Sequence, residues 1–143
     1  MEKFARILNR EWQETGLKEQ VKKSFLQKFW MEKRDCLKDL VSGTAADEQV
    51  RCNQIWAVSM PFTMLTKEQE KAVVETVFET LYTPYGLRTL EMSDKEFKPV
   101  YQGKMEERDM AYHQGTVWTF PLGAYYLAYL KVKDYNKEAK ETV

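Results

Sequence analysis

The sequence has a single histidine, His113, and two cysteines, Cys36 and Cys52, in 143 residues. No zinc site of the usual Cys/His spacing can be assembled from three such scattered ligands, so no metal is expected. Two cysteines also exclude a disulfide-framed scaffold and fit a reducing compartment, which places the chain in the cytoplasm. No apolar run approaches the ~20 residues that cross a bilayer, so no membrane is expected as a partner. The opening residues Met1-Glu2-Lys3-Phe4 lack the apolar stretch of a secretory signal. Charge of one sign is missing too: 22 Lys and Arg balance 22 Asp and Glu. A strongly basic nucleic-acid module is thereby excluded. There is no glycine-rich phosphate loop of the P-loop or dinucleotide type, and no nucleophile motif stands near His113 that would use it as a base. No cofactor is implied. Repeats at a fixed period and low-complexity tracts are also missing.

What is present is a hydrophobic content of 43%, which argues against global disorder, and a length that suits one domain. Four Trp, eight Tyr and seven Phe are available either to fill a core or to form a stacking surface. Helical periodicity dominates. Phe4, Ile7, Leu8 and Trp12 mark one amphipathic helix, and Val21, Phe25, Leu26, Phe29 and Trp30 a second with lysines on its other face. A break at Thr15-Gly16 makes the two a helical hairpin. Residues 35–41 fit no single period and read as a short strand, and 42–47 as a loop. Asn53 to Met60 reads as a short apolar helix stopped by Pro61, with Asn53 available to cap it. Thr66-Lys67-Glu68-Gln69 fits a capping box ahead of a helix whose buried stripe is Val73, Val74, Val77, Phe78 and Leu81. Pro84 and Gly86 force a turn, and Leu87 to Leu90 is briefly extended. Residues 91–112 show no period and read as a loop, with Glu106-Glu107-Arg108-Asp109 as a solvated charge run. A last clear helix runs from about Gly115 to Lys131, with Pro121 in or near its first turn. The polar tail, 133–143, is expected to fray.

Three polar-aromatic clusters stand beside helix starts. They are Arg51-Cys52-Asn53-Gln54-Ile55-Trp56, Thr83-Pro84-Tyr85-Gly86-Leu87-Arg88-Thr89-Leu90, and the run from Arg108 to Trp118 that contains Tyr112-His113-Gln114-Gly115-Thr116-Val117-Trp118. Asn and Gln each offer a donor and an acceptor, which suits sugar hydroxyls, while Trp and Tyr offer flat faces for a pyranose ring. Capping and packing account for the same residues equally well one cluster at a time, least easily in the third.

In this order the clusters resemble the C-terminal part of glycogen debranching enzymes of the bacterial and archaeal type, a family with amylo-α-1,6-glucosidase activity in glycogen catabolism. Arg51, Asn53, Gln54 and Ile55, all of Thr83 to Leu90, and all of Tyr112 to Trp118 match. Two positions depart from the pattern: Cys52 stands where Pro is usual, and Thr119-Phe120 where Pro-Trp is common. The resemblance implies a mainly α fold, an α/α toroid of six helical hairpins. Twelve helices of ~12 residues with ~5-residue connections need roughly 200 residues, so the chain is expected to be part of a toroid, shortened at both ends, with short extended segments. It is expected to be a truncated or split reading frame or a cloned piece. Residues 1–132 form the incomplete toroid domain and 133–143 the polar tail.

Hydrolysis of a glycosidic bond usually takes two carboxyl groups flanking it. The resemblance places the general acid upstream and the base downstream of this stretch, so no catalytic residue is assigned. Asp109 is expected to orient neighbouring side chains. The resemblance assigns substrate binding to Asn53, Gln54, Tyr85, Arg88, Tyr112, His113, Gln114, Thr116 and Trp118, with an α-glucan or maltooligosaccharide as ligand. Trp118 or Tyr112 would stack on glucose, and His113 and Gln114 would bond its hydroxyls. The alternatives are a non-catalytic carbohydrate-binding domain and a helical interaction domain. A partial toroid exposes apolar surface, so self-association or a complementing chain is expected. The lysine-rich face of the second helix reads as solvated, and nucleic acid is not expected as a partner.

Overall fold

The computed structural model describes residues 6–11 and 16–143. Phe4 and Trp12 of the expected first helix lie outside these residues; 6–7 are helical and 8–9 turn. The described chain is about half helical, with short antiparallel strand pairs between the helices.

Helix α1 is Leu17–Phe29. Its apolar stripe is only partly covered: Phe25, Leu26 and Phe29 pack on the edge of the core, and no residue of the helix is fully buried. Strands β1 (Trp30–Met31) and β2 (Cys36–Leu37) form a hairpin, and β3 (Leu40–Ser42) and β4 (Ala45–Asp47) a second. The stretch 42–47, expected as a loop, is thus mostly strand. Gly43, at φ +61°, makes the left-handed turn that lets the two strands double back.

A 3-10 turn, Cys52–Gln54, leads into α2, Ile55–Ser59. Asn53 does not cap it; its amide donates to Asp39 Oδ1 at 2.9 Å instead. Helix α3, Lys67–Leu81, starts as expected: Thr66 Oγ1 accepts from the Gln69 N–H, and Gln69 Oε1 accepts from the Thr66 N–H. It buries Val73, Val74, Val77 and Leu81, while Phe78, assigned to the same stripe, is exposed. Strands β5 (Tyr82–Thr83), β6 (Gly86–Arg88) and β7 (Val117–Trp118) make a three-stranded antiparallel sheet.

Between β6 and β7 the loop expectation holds only in part, because Met105–Tyr112 folds as helix α4. The helix carries no apolar stripe; Ala111 is its one buried residue, so periodicity could not reveal it. Its charge run is solvated, as expected. The last long helix, α5, is Phe120–Val132 with Pro121 in its first turn. It starts later than the sequence suggests because Val117 and Trp118 pair with β6. The tail does not fray throughout: Lys137–Thr142 is a helix, α6, capped by Asn136 Oδ1 and docked through buried Ala139.

Helices α2, α3 and α5 pack on one another and form the centre, with Ile55, Val58, Val73, Val77, Leu81, Leu87 and Ala128 buried among them. A partly buried ion pair crosses this centre. Lys131 Nζ reaches Glu70 Oε1 at 2.7 Å and also donates to the Val58 carbonyl at 2.9 Å, close to the C-terminal end of α2.

Candidate functional site

The second and third sequence clusters meet in the β6–β7 pair, where Leu87 lies opposite Trp118 and Arg88 opposite Val117. The approach is close. A Cβ on Gly86 would collide with the Trp118 carbonyl, so only glycine fits there. Beyond the strands the pairing continues: the Thr89 N–H donates to the Thr116 carbonyl at 3.1 Å, and the Gly115 N–H to Thr89 Oγ1 at 2.8 Å.

The first cluster joins through Arg51. Its guanidinium donates to the His113 carbonyl, to Gln114 Oε1 at 2.8 Å and to Gln49 Oε1. The charge is balanced by Asp39 at 3.8 Å and Asp47 at 4.0 Å. Arg51 and His113 are 62 residues apart in sequence. One planar donor thus fixes the turn that follows α4. Gln49 and Gln114 extend the network to Asp94 and Glu96, with Gln49 Nε2 donating to both at 3.1 Å.

Above this polar base lies a set of rings. Tyr112 packs against His113 and Trp118 with centroids 4.7 Å away in each case, and Tyr101 stands 6.0 Å from Tyr112. Trp118 Nε1 donates to the Tyr112 carbonyl at 3.2 Å, which sets the indole plane. Tyr112, His113 and Tyr101 are exposed and Trp118 is half-buried, so ring faces and edges meet solvent. Tyr85 is the most exposed large hydrophobic residue among the described residues, at 81%, beside Thr119, whose hydroxyl donates to its carbonyl.

The nine residues singled out in the sequence therefore fall into two groups. Tyr85, Tyr112, His113 and Trp118 present side chains to solvent. The others make contacts within the chain. Gln54 is buried, with Oε1 accepting from the Leu37 N–H and Nε2 donating to the Arg51 carbonyl. Thr116 Oγ1 donates to the Ala111 carbonyl at 2.8 Å, and the Arg88 guanidinium reaches the Tyr82 carbonyl at 3.5 Å. Asn53 is held by Asp39, and Gln114 by Arg51 and Glu96. Sequence reasoning did not single out Gln49, Tyr101, Asp39, Asp94 or Glu96, and it placed Arg51 in a motif without giving it a role. Arg51 was findable, since an arginine two residues before Asn53-Gln54 needs acceptors; the rest join only through tertiary contact.

Glu106 and Asp109 are exposed on α4, and Glu107 Oε2 accepts from the Lys104 N–H at the helix start. Glu91 is buried against Arg34, with both oxygens accepting from one guanidinium nitrogen at 2.6 and 2.8 Å. That hydrogen bond raises the Arg34 pKa. Burial pushes the Cys36 and Cys52 thiols up to about 11, which keeps them protonated and unreactive. Among the described residues no group of three or more His, Cys, Asp or Glu is placed to hold a metal. No helix among them is long and apolar enough to cross a membrane. What the surface offers is exposed rings over a rigid polar base, an arrangement suited to binding a ring-shaped polar ligand.

The sequence model of the amylo-alpha-1,6-glucosidase family matches residues 1–143. The glycogen debranching enzyme of Saccharomyces cerevisiae is 29% identical over 89 residues, which is 58% of this chain. The match spans 6% of that relative's length.

Proposed function

Since the chain belongs to the amylo-alpha-1,6-glucosidase family, we propose that it supplies part of the glucan-binding wall of an enzyme that hydrolyses α-1,6 branch points in cytoplasmic glycogen breakdown, and that it does not hydrolyse them alone. Residues 1–132 correspond to part of an α/α toroid in this reading. The observation that carries it is the convergence, through Arg51 and the β6–β7 pair, of three clusters separated in sequence. Tyr112, Trp118 and Tyr85 offer faces to glucose rings, and His113 a hydrogen bond to a hydroxyl. Asn53, Gln54, Arg88, Gln114 and Thr116 hold those groups in place. The carboxyl pair that an inverting glycosidase spaces at about 6.5–9.5 Å comes from outside this chain.

Glucose release from a branched limit dextrin, with maltooligosaccharide binding followed by calorimetry, tests both halves. Binding without release is expected. His113→Ala should weaken binding by about 5–10-fold, the scale of one lost hydrogen bond. Trp118→Ala should abolish the stacking contribution. Binding that is unchanged in both variants refutes the assignment, and glucose release by the chain alone refutes the absence of a catalytic pair.

A further inference from the structure

A groove of about 340 Å³ runs between α3 and α5, apart from the ring cluster above. Two ridges line it, together with Thr142 and Val143 of the C-terminal segment. Val74, Phe78 and Tyr82 recur every four residues along one side, and Tyr125 and Tyr129 do the same along the other. Phe78 is 55% exposed although it lies against two aromatic neighbours, Tyr82 and Tyr125. The Tyr82 and Tyr126 hydroxyls share a hydrogen bond of 3.1 Å. Parallel i, i+4 ridges on adjacent helices leave a channel of the shape that a third helix fills with its own ridge.

The same chain carries an unsatisfied helix. The C-terminal half of α1 lies on the core, but Leu17 and Val21, one turn apart, are 36% and 48% exposed. Lys18 and Lys22 run beside them, with Lys23 and Lys28 further round. The groove rim carries Glu75 and Glu79 beside Lys71 and Lys133. Lys71 pairs with Glu75 at 3.6 Å, while Glu79 and Lys133, the latter over the Tyr129 ring, make no ion pair among the described residues. A lysine-flanked apolar helix meets an aromatic groove with a free carboxylate.

We propose that the α3–α5 groove takes the N-terminal half of α1 from a second copy of this chain. The contact is heterologous: one copy gives the helix, the other the groove, and each copy keeps one surface open for the next. It involves none of the residues assigned to glucan, so it stands or falls independently of that reading.

Sedimentation velocity of the full chain over a concentration series is the test, with circular dichroism to confirm folding. The chain should assemble beyond a dimer as concentration rises. Val21→Glu on the helix and Phe78→Glu in the groove should each weaken assembly by about ten-fold or more, the scale of losing a central anchor. Each variant keeps one good surface, so an equimolar mixture of the two should form a one-to-one dimer and stop there. Should either variant fail to fold, Leu17→Glu and Glu79→Lys replace them, the latter also acting through charge. A monomer at every concentration overturns the proposal. So does assembly that survives both substitutions, or a mixture that stays monomeric, which would mean a self-complementary patch or an unrelated partner.

Discussion

A methyl group at Gly115 would lie 2.5 Å from a carbon of the Phe97 ring and 2.9 Å from the Lys98 carbonyl. Gly115 also holds φ +129°, where a side chain is strained. Gly115→Ala should therefore cost about 1–3 kcal/mol, the usual range for overpacking, read as a lower urea midpoint. Gly123→Ala, on open space in α5, should cost nothing of that kind and serves as the control. The thiols give a second expectation at this scale. Their folded pKa values near 11 exceed the ordinary value of 9.0. Their contribution to stability is fully present below about pH 9 and is lost as pH rises through about 11. Urea midpoints measured at about pH 8 and about pH 10.5 should fall, and Cys36→Ala with Cys52→Ala should remove part of that fall. The aromatic pair Tyr112 and Trp118 was legible as a cluster, and the structure brings the two rings together. Gln54 was misleading alone, because an amide looks the same whether it faces a ligand or joins the Leu37 and Arg51 backbones.

Elements were legible in proportion to the length of their buried stripe. Helix α3 has a full apolar repeat and a capping box, and both were readable. Thr66→Ala should lower stability by about 1 kcal/mol, while Thr66→Ser should restore it, as measured by thermal unfolding. The short strands were readable only in part: 35–41 was expected as a short strand and holds β2 and most of β3, and 87–90 was expected to be extended and overlaps β6, while 45–47 and β7 were missed because two or three residues leave no local period. Val117 and Trp118 show this best. Their neighbours suggest a helix, and only Leu87 and Arg88, 30 residues earlier, make them a strand. Helix α4 escaped for the opposite reason: it is a surface helix held by its charged first turn, where Glu106 and Glu107 favour the helix N-terminus.

At the scale of the whole molecule, the arrangement depends on a few side chains that tie distant parts together. Lys131 links α5 both to Glu70 of α3 and to the end of α2, 73 residues away. Lys131→Met leaves Glu70 buried and unpaired, and should cost about 3 kcal/mol; adding Glu70→Leu should recover much of it, which a double-variant cycle of urea unfolding would measure. Composition and the three clusters pointed to the family, but not to how the clusters meet, because Arg51 and His113 share no local signal. That span has a consequence during synthesis. At roughly 5–20 residues added per second, the 62 residues between Arg51 and His113 take roughly 3–12 s to translate. For that interval a nascent chain carries its guanidinium beside Asp39, Asp47 and Gln49, without its acceptors on His113 and Gln114. The turn that carries Tyr112 and His113 is therefore fixed by Arg51 only after translation has passed it.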